Sequence, residues 1–111
     1  MFKLLRKLRH GPLKRFTNIW LILGNFYRKK SSFFNFTVSH KIGKYGPFSM
    51  DNYFSFSNFS SWGENHNNGF ENCIKDCTNK ECFIDIGAHI GLVTLPAASV
   101  MHENAKIICF E

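Results

Sequence analysis

The chain has 111 residues, a length that fits one small domain. Hydrophobic residues make up 44% of it and charged residues 20%, a balance that excludes wholesale disorder. The formal net charge of +6 is unevenly divided, because residues 1–50 contain 11 Lys and Arg and no acidic residue, whereas residues 51–111 contain 3 Lys and Arg and 8 acidic residues. This division excludes a uniformly basic protein and separates a basic leading segment from the rest of the chain.

The leading segment, residues 1–30, predicts a basic amphipathic helical arm. A first helix over residues 1–10 places its Leu side chains on one face and its cations on another. Gly11-Pro12 is expected to break and restart the helix. A second apolar stripe then follows at intervals of three and four residues and predicts a helix that ends near residues 28–30: Leu13, Phe16, Trp20, Leu23 and Tyr27.

Residues 31–69 predict a β-hairpin and loop region. Phe34, Phe36 and Val38 alternate with polar residues, which is typical of a strand with one buried face, and residues 53–57 show a second alternation. Gly43 and Gly46-Pro47 are turn signals between the two. Residues 57–69 are polar and rich in turn residues, so they predict a loop in which His66 lies in a polar turn.

Residues 70–111 show a regular order of elements. A helix is predicted over residues 70–77, a strand over 82–86, a glycine-containing turn over 87–91, a helix over 92–101 and a second strand over 106–110. This order is a βαβ unit, in which the two strands run parallel. Pro96 is expected to cost the second helix one backbone hydrogen bond and to bend it.

The turn after the first of these strands carries the candidate binding residues. Gly87 permits a tight turn and a close approach of the backbone to a ligand, Gly91 permits close packing of the helix, and the helix N-terminus is expected to offer free N–H groups. Glu111 follows the next strand, 24 residues after Gly87, where an acidic residue binds ribose hydroxyls in nucleotide-binding βαβ units. Ala88 and His89 depart from the G-x-G-x-x-G pattern, and Asp85 would repel a pyrophosphate, whereas it suits the cationic amino-acid part of S-adenosylmethionine.

The segments CFIDIGAHIGLVTLPAAS and AKIICFE resemble the first cofactor motif and second strand of the FkbM-type S-adenosylmethionine-dependent methyltransferases. The family motif reads approximately D-[IV]-G-A-[NH]-x-G, with a following strand that ends in F-E-P. His89 stands where Asn is commoner in the family. The resemblance covers residues 60–111, and residues 33–59 only loosely. The matching residues are Asp85, Gly87, Ala88, Gly91, Phe110 and Glu111.

The resemblance implies an α/β fold, the N-terminal part of a doubly wound Rossmann-like methyltransferase sheet, preceded by the β-hairpin region and the basic helical arm. It implies S-adenosylmethionine as cofactor and O-methylation of a sugar or small hydroxylated metabolite, so the partner is a small-molecule or glycan hydroxyl acceptor. No catalytic base is identified. The cofactor-binding residues that it implies, with His89 beside the matched ones, are Asp85, Gly87, Ala88, His89, Gly91 and Glu111.

The family domain continues for several strands beyond F-E-P. The 111 residues are therefore interpreted as an N-terminal fragment of a larger enzyme, expected to show no methyl transfer and weak or no cofactor binding by itself. Two alternatives stay open at this point. One is another Rossmann nucleotide-binding protein such as an NAD-dependent oxidoreductase, and the other is a membrane- or partner-binding module with a degenerate cofactor site.

The basic arm and the cysteines complete the sequence-based expectations. The stripe at residues 13–27 predicts a packing face. The alternative is a membrane-associated protein in which residues 1–30 form an interfacial helix in peripheral contact with an anionic membrane. Nucleic acid is not expected, because no binding motif accompanies the charge. Four Cys spaced C-x3-C-x4-C with a distant fourth match no common zinc pattern, so no metal site is predicted. The chain lacks 18 consecutive apolar residues and an evident signal sequence, which favours a cytoplasmic protein with reduced thiols.

Overall fold

A computed structural model of the chain describes residues 2–64 and 68–111, and His66 lies outside the described residues. The chain has a mixed α/β fold that contains a two-stranded β-hairpin and a two-stranded parallel sheet. The elements in chain order are α1 (Phe2–His10), α2 (Thr17–Ser31), β1 (Thr37–Ile42), β2 (Tyr45–Asp51), a short 3-10 helix (Asn52–Phe54), α3 (Phe70–Cys77), β3 (Cys82–Ile86), α4 (Thr94–Val100) and β4 (Lys106–Phe110).

Contacts within the chain divide it into two compact units. The first extends to His40 and also includes Ser49–Asn58, and the second comprises Lys41–Phe48 and Phe59–Glu111. The hairpin strands therefore contribute to both units. The predicted division into residues 1–30, 31–69 and 70–111 stays a prediction.

In the first unit, the second helix begins later than the sequence predicts. Residues 11–15 form turns, and α2 begins at Thr17, so Pro12 does not start the helix. The turns are stabilised from the helix itself, because Trp20 Nε1 donates to the Leu13 carbonyl at 3.0 Å and Thr17 Oγ1 to the Lys14 carbonyl at 3.0 Å. The Leu13 carbonyl also accepts from the Phe16 N–H at 3.1 Å, so the Trp20 side chain adds a second bond to it.

The C-terminal end of α2 is held by the 3-10 helix. The buried Asn52 side chain donates to the carbonyls of Ser31, at 3.1 Å, and of Phe34. The Tyr27 hydroxyl lies 2.9 Å from Ser55 Oγ, which donates to the Asn52 carbonyl at 2.6 Å. Since buried polar groups cost stability unless they are paired, this network defines how α2 packs on the 3-10 helix.

Neither hairpin strand lies where the sequence predicts it. The first strand, predicted over residues 34–38, is β1 at Thr37–Ile42. Residues 53–57 form the end of the 3-10 helix and turns, and β2 instead covers Tyr45–Asp51, including Gly46-Pro47, which was expected to be a turn. Asp51 explains the difference, because its carboxylate accepts from the Tyr53 backbone N–H at 2.7 Å and starts the 3-10 helix. The predicted turn at Gly43, with φ 55°, is confirmed.

The core of the second unit lies between α3 and α4. Ile42 and Ile74 are fully buried in it. The same cluster of buried side chains also contains Phe70, Cys77 and Ala97. The bounds of α3 agree with the prediction, because Phe70, Ile74 and Cys77 share one helix face and all of them are buried. Burial of a side chain such as Ile74 contributes about 1.5–3 kcal/mol.

The parallel sheet pairs β3 with β4 as predicted. Ile84 lies opposite Ile108 and Ile86 opposite Phe110. Helix α4 begins at Thr94, two residues later than predicted, and Pro96 lies in its first turn. The N–H groups of Leu95 and Ala97 donate to the carbonyls of Gly91 and Val93, at 2.9 and 3.0 Å, and Pro96 between them has no N–H to donate. This agrees with the predicted loss of one backbone hydrogen bond. No helix in the described part of the chain is long and apolar enough to cross a bilayer.

Candidate functional site at the ends of β3 and β4

The segment after β3 forms a compact turn built on left-handed backbone. Gly87 has φ 78° and Gly91 has φ 82°, values that glycine adopts without steric cost. His89, which is exposed, has φ 49°, and this is uncommon for a residue with a Cβ atom. The Gly91 N–H donates to the Ala88 carbonyl at 2.8 Å and closes the turn.

The turn is bonded directly to the end of β4. The backbone N–H groups of Gly87 and Ala88 both donate to the Phe110 carbonyl oxygen, at 2.8 and 3.0 Å. Because Glu111 follows Phe110 in the chain, these bonds bring its backbone to the same sheet edge as the turn. The structure thus brings together the two parts of the predicted site, which lie 24 residues apart in sequence.

The two glycines of the turn have different surroundings. A Cβ atom built on Gly87 would meet no atom within 4 Å, so the space above this residue is open. A Cβ atom on Gly91 would lie 3.3 Å from Leu95 Cγ. Gly91 therefore permits the turn to pack against α4, whereas Gly87 leaves its backbone accessible from outside the fold.

Asp85 has a partner that the sequence analysis did not identify. The Thr94 hydroxyl donates a hydrogen bond to Asp85 Oδ2, and it also lies 3.5 Å from Cys109 Sγ. Thr94 is the first residue of α4, and Asp85 is on the half-buried face of β3. The sequence feature that could have indicated this contact is the hydroxyl of Thr94, which stands within the apolar stretch after the turn. The bond fixes one carboxylate oxygen of Asp85, which lies two residues before Gly87.

The expected free N–H groups at the helix N-terminus are not found at Gly91. Residues 89–93 form turns before α4 begins, and the Gly91 N–H is already bonded to Ala88. The Leu95 N–H in turn donates to the Gly91 carbonyl at 2.9 Å. The amides of Gly87, Ala88 and Gly91 are therefore already bonded within the fold and do not supply free N–H groups to a ligand.

A cavity of about 610 Å³ lies at the other end of β3 and β4, away from the glycine turn. It is lined by the loops that precede β3 and β4, including Glu81, His102 and Lys106, and none of the predicted site residues lines it. In residues 2–64 and 68–111, no group of three or more His, Cys, Asp or Glu side chains is placed to hold a metal ion.

Comparisons with protein-family models, with curated proteins and with solved structures find no match to this chain. The similarity to FkbM-type methyltransferases therefore depends on the motif residues alone.

Proposed function

We propose that residues 70–111 form the start of a Rossmann-like domain that binds S-adenosylmethionine, in a methyltransferase of the FkbM type. The observation that supports this most directly is the pair of hydrogen bonds from Gly87 and Ala88 to the Phe110 carbonyl. They join the glycine turn to the residue before Glu111. In open α/β sheets, ligands bind at this edge, beyond the carboxyl ends of the strands.

Each site residue has a physical role in the proposal. The open space above Gly87 admits the amino-acid part of the cofactor close to the backbone. Asp85, oriented by Thr94, supplies negative charge near the cofactor's ammonium group. The Glu111 carboxylate accepts two hydrogen bonds from the ribose diol. Ala88 and His89 line the same turn, and Gly91 holds it against α4.

The reaction in this proposal is transfer of a methyl group to a hydroxyl of a sugar or small metabolite. The acceptor oxygen attacks the methyl carbon in line with the bond to the sulfonium sulfur. The new O–C bond forms as the C–S bond breaks, the sulfur takes the electron pair, and the hydroxyl proton leaves to solvent or a base. Positioning of the two reactants supplies much of the catalysis in such a displacement.

The test is a titration of the isotope-labelled chain with S-adenosylhomocysteine, followed by backbone amide NMR. Two strands contact only part of the cofactor, so we expect weak binding, with a Kd of about 1 mM or more. The amide shifts should be confined to residues 85–91 and 111. Glu111→Gln should reduce the affinity at least about fivefold, since a charged hydrogen bond is lost.

Glu103→Gln is the matched control, because Glu103 is an exposed carboxylate in the loop before β4, at the opposite end of the strands. It should leave the affinity unchanged. Amide shifts dispersed over the chain, or equal effects of the two variants, would contradict the proposal. A parallel titration with NAD that gives stronger and equally confined shifts would favour the oxidoreductase alternative.

A further inference from the structure

Helix α2 has apolar side chains on two sides, and only one side is covered by the first unit. The inward side carries Trp20, Gly24 and Tyr27, of which Tyr27 packs edge to face on Phe56 with the ring centroids 5.0 Å apart. The outward side carries four large apolar residues that lie within an arc of about 100° around the helix. We call them the outer face, and their exposed fractions are 54% for Ile19, 70% for Ile22, 51% for Leu23 and 65% for Phe26.

An apolar cavity opens beside this outer face. Its volume is about 350 Å³, and its walls come from both helices of the first unit. Leu23 and Phe26 belong to the outer face and also line the cavity, which continues inward to Leu5 and Trp20. Among the described residues that line it, Arg9 and Lys30 are charged. The exposed apolar surface is therefore continuous with an interior space large enough for part of a hydrocarbon chain.

Cations flank the outer face at both ends. Lys14 and Arg15 are exposed just before α2, and Lys29 and Lys30 are exposed in its last turn. No Asp or Glu occurs in the first 50 residues. Beyond the helix, Phe33 is 78% exposed, and the Lys30 ammonium lies 5.4 Å from its ring centroid. The apolar strip is suited to the acyl region of a bilayer, and the basic flanks complement the negative charge of an anionic lipid surface.

We propose that α2 docks on an anionic bilayer and lies in the plane of its interface. The outer face enters the acyl region, the flanking Lys and Arg contact lipid phosphates, and the cavity accepts part of an acyl chain. The helix has 15 residues and is roughly 22 Å long, shorter than the hydrocarbon core of about 30 Å, so it lies on the membrane rather than across it.

Charge favours a lipid surface over a second copy of the chain. Pairing two copies through the outer face would place the basic ends of α2 near other basic ends, in either a parallel or an antiparallel arrangement. The N-terminal end carries the exposed Lys14 and Arg15, and the last turn carries three exposed cations, Arg28, Lys29 and Lys30. Like charges at close range oppose association. An anionic bilayer neutralises the same residues. This inference is independent of the proposed methyltransferase function, since it concerns only the first unit.

The test is flotation of the full chain with two kinds of vesicle, one of phosphatidylcholine alone and one containing about 30% phosphatidylglycerol. We expect binding to the anionic vesicles at low salt and its loss at high salt. The double variant Ile22→Gln, Phe26→Gln should weaken this binding at least about tenfold, because two large apolar side chains are no longer transferred from water into the acyl region. Circular dichroism should show unchanged folding, since both residues are exposed.

Leu21→Gln is the matched control. Leu21 is 48% exposed on the same helix, but lies about 150° around it from the centre of the outer face. Its replacement should leave vesicle binding unchanged. The proposal is overturned by an absence of binding at low salt, by equal binding to neutral vesicles, or by equal effects of the two variants. It is also overturned if the chain forms a dimer without lipid that the double variant dissociates.

Discussion

The Thr94 hydroxyl donates a hydrogen bond to the Asp85 carboxylate and so joins the first turn of α4 to the end of β3. Thr94→Val keeps the shape of the side chain but removes the donor, which leaves a half-buried carboxylate oxygen without this bond. We expect the free energy of unfolding to fall by about 1–2 kcal/mol, as measured by urea denaturation. Thr94→Ser, which retains the hydroxyl, should recover most of the loss. If Thr94→Val is as stable as the unchanged chain, the bond does not position Asp85.

Two glycines with positive φ should respond differently to alanine. At Gly63, with φ 93°, a Cβ atom would lie 2.6 Å from Phe70 Cδ1 in the core of the second unit, so strain and a steric clash combine. At Gly87 the Cβ atom would meet nothing within 4 Å, and only backbone strain remains, at about 1–2 kcal/mol. Urea denaturation should therefore show a larger loss for Gly63→Ala, by roughly 1–3 kcal/mol. Equal losses would mean that Phe70 moves aside without cost.

The second unit was largely predictable from the sequence, and particular residues explain why. The bounds of β3 and β4 agree with the prediction because short apolar runs are bounded by polar and glycine residues on each side. The meeting of the turn with Glu111 followed from the parallel connection, which places both strand ends at one edge. The Thr94–Asp85 bond was not predictable, because it depends on where α4 begins and how it is rotated over the sheet.

The β-hairpin and the helices of the first unit were less predictable, for two physical reasons. The residues of β2, YGPFSMD, show no clear alternation and contain Gly46-Pro47, whereas the alternation at residues 53–57 is overridden by the Asp51 cap of the 3-10 helix. In α2, the apolar stripe of the sequence identified only part of the pattern. Ile19, Ile22 and Phe26 form a second apolar side, and which side is buried depends on packing that the sequence of the helix does not contain.

Cys77 should react more slowly with thiol reagents than the other three cysteines. Cys77 is buried in the core at 4% exposure, and burial raises the pKa of its thiol, with the neighbouring Cys73 adding to the shift. Because the thiolate is the reactive form, Cys77 should label with maleimide much more slowly than the exposed Cys73, Cys82 and Cys109. Mass spectrometry of timed samples at pH 7.5 to 8 measures this, and labelling in urea is the control that should make all four rates similar. Labelling of Cys77 as fast as Cys73 in the folded chain would contradict the core position of Cys77.

The ion pair between Lys44 and Glu71 should give the second unit a component of stability that depends on pH. Lys44 Nζ lies 2.5 Å from Glu71 Oε2. The hydrogen bond that Lys44 donates holds the pKa of the Glu71 carboxyl below the ordinary 4.5. A lowered carboxyl pKa stabilises the fold above the ordinary value, and this contribution is lost as the pH falls through the folded-state pKa. Glu71→Gln should therefore lower the urea midpoint at pH 7, modestly because both side chains are partly exposed, and leave it nearly unchanged at about pH 3. Glu103→Gln controls for net charge, and a Glu71→Gln effect of equal size at both pH values would show that the ion pair contributes nothing.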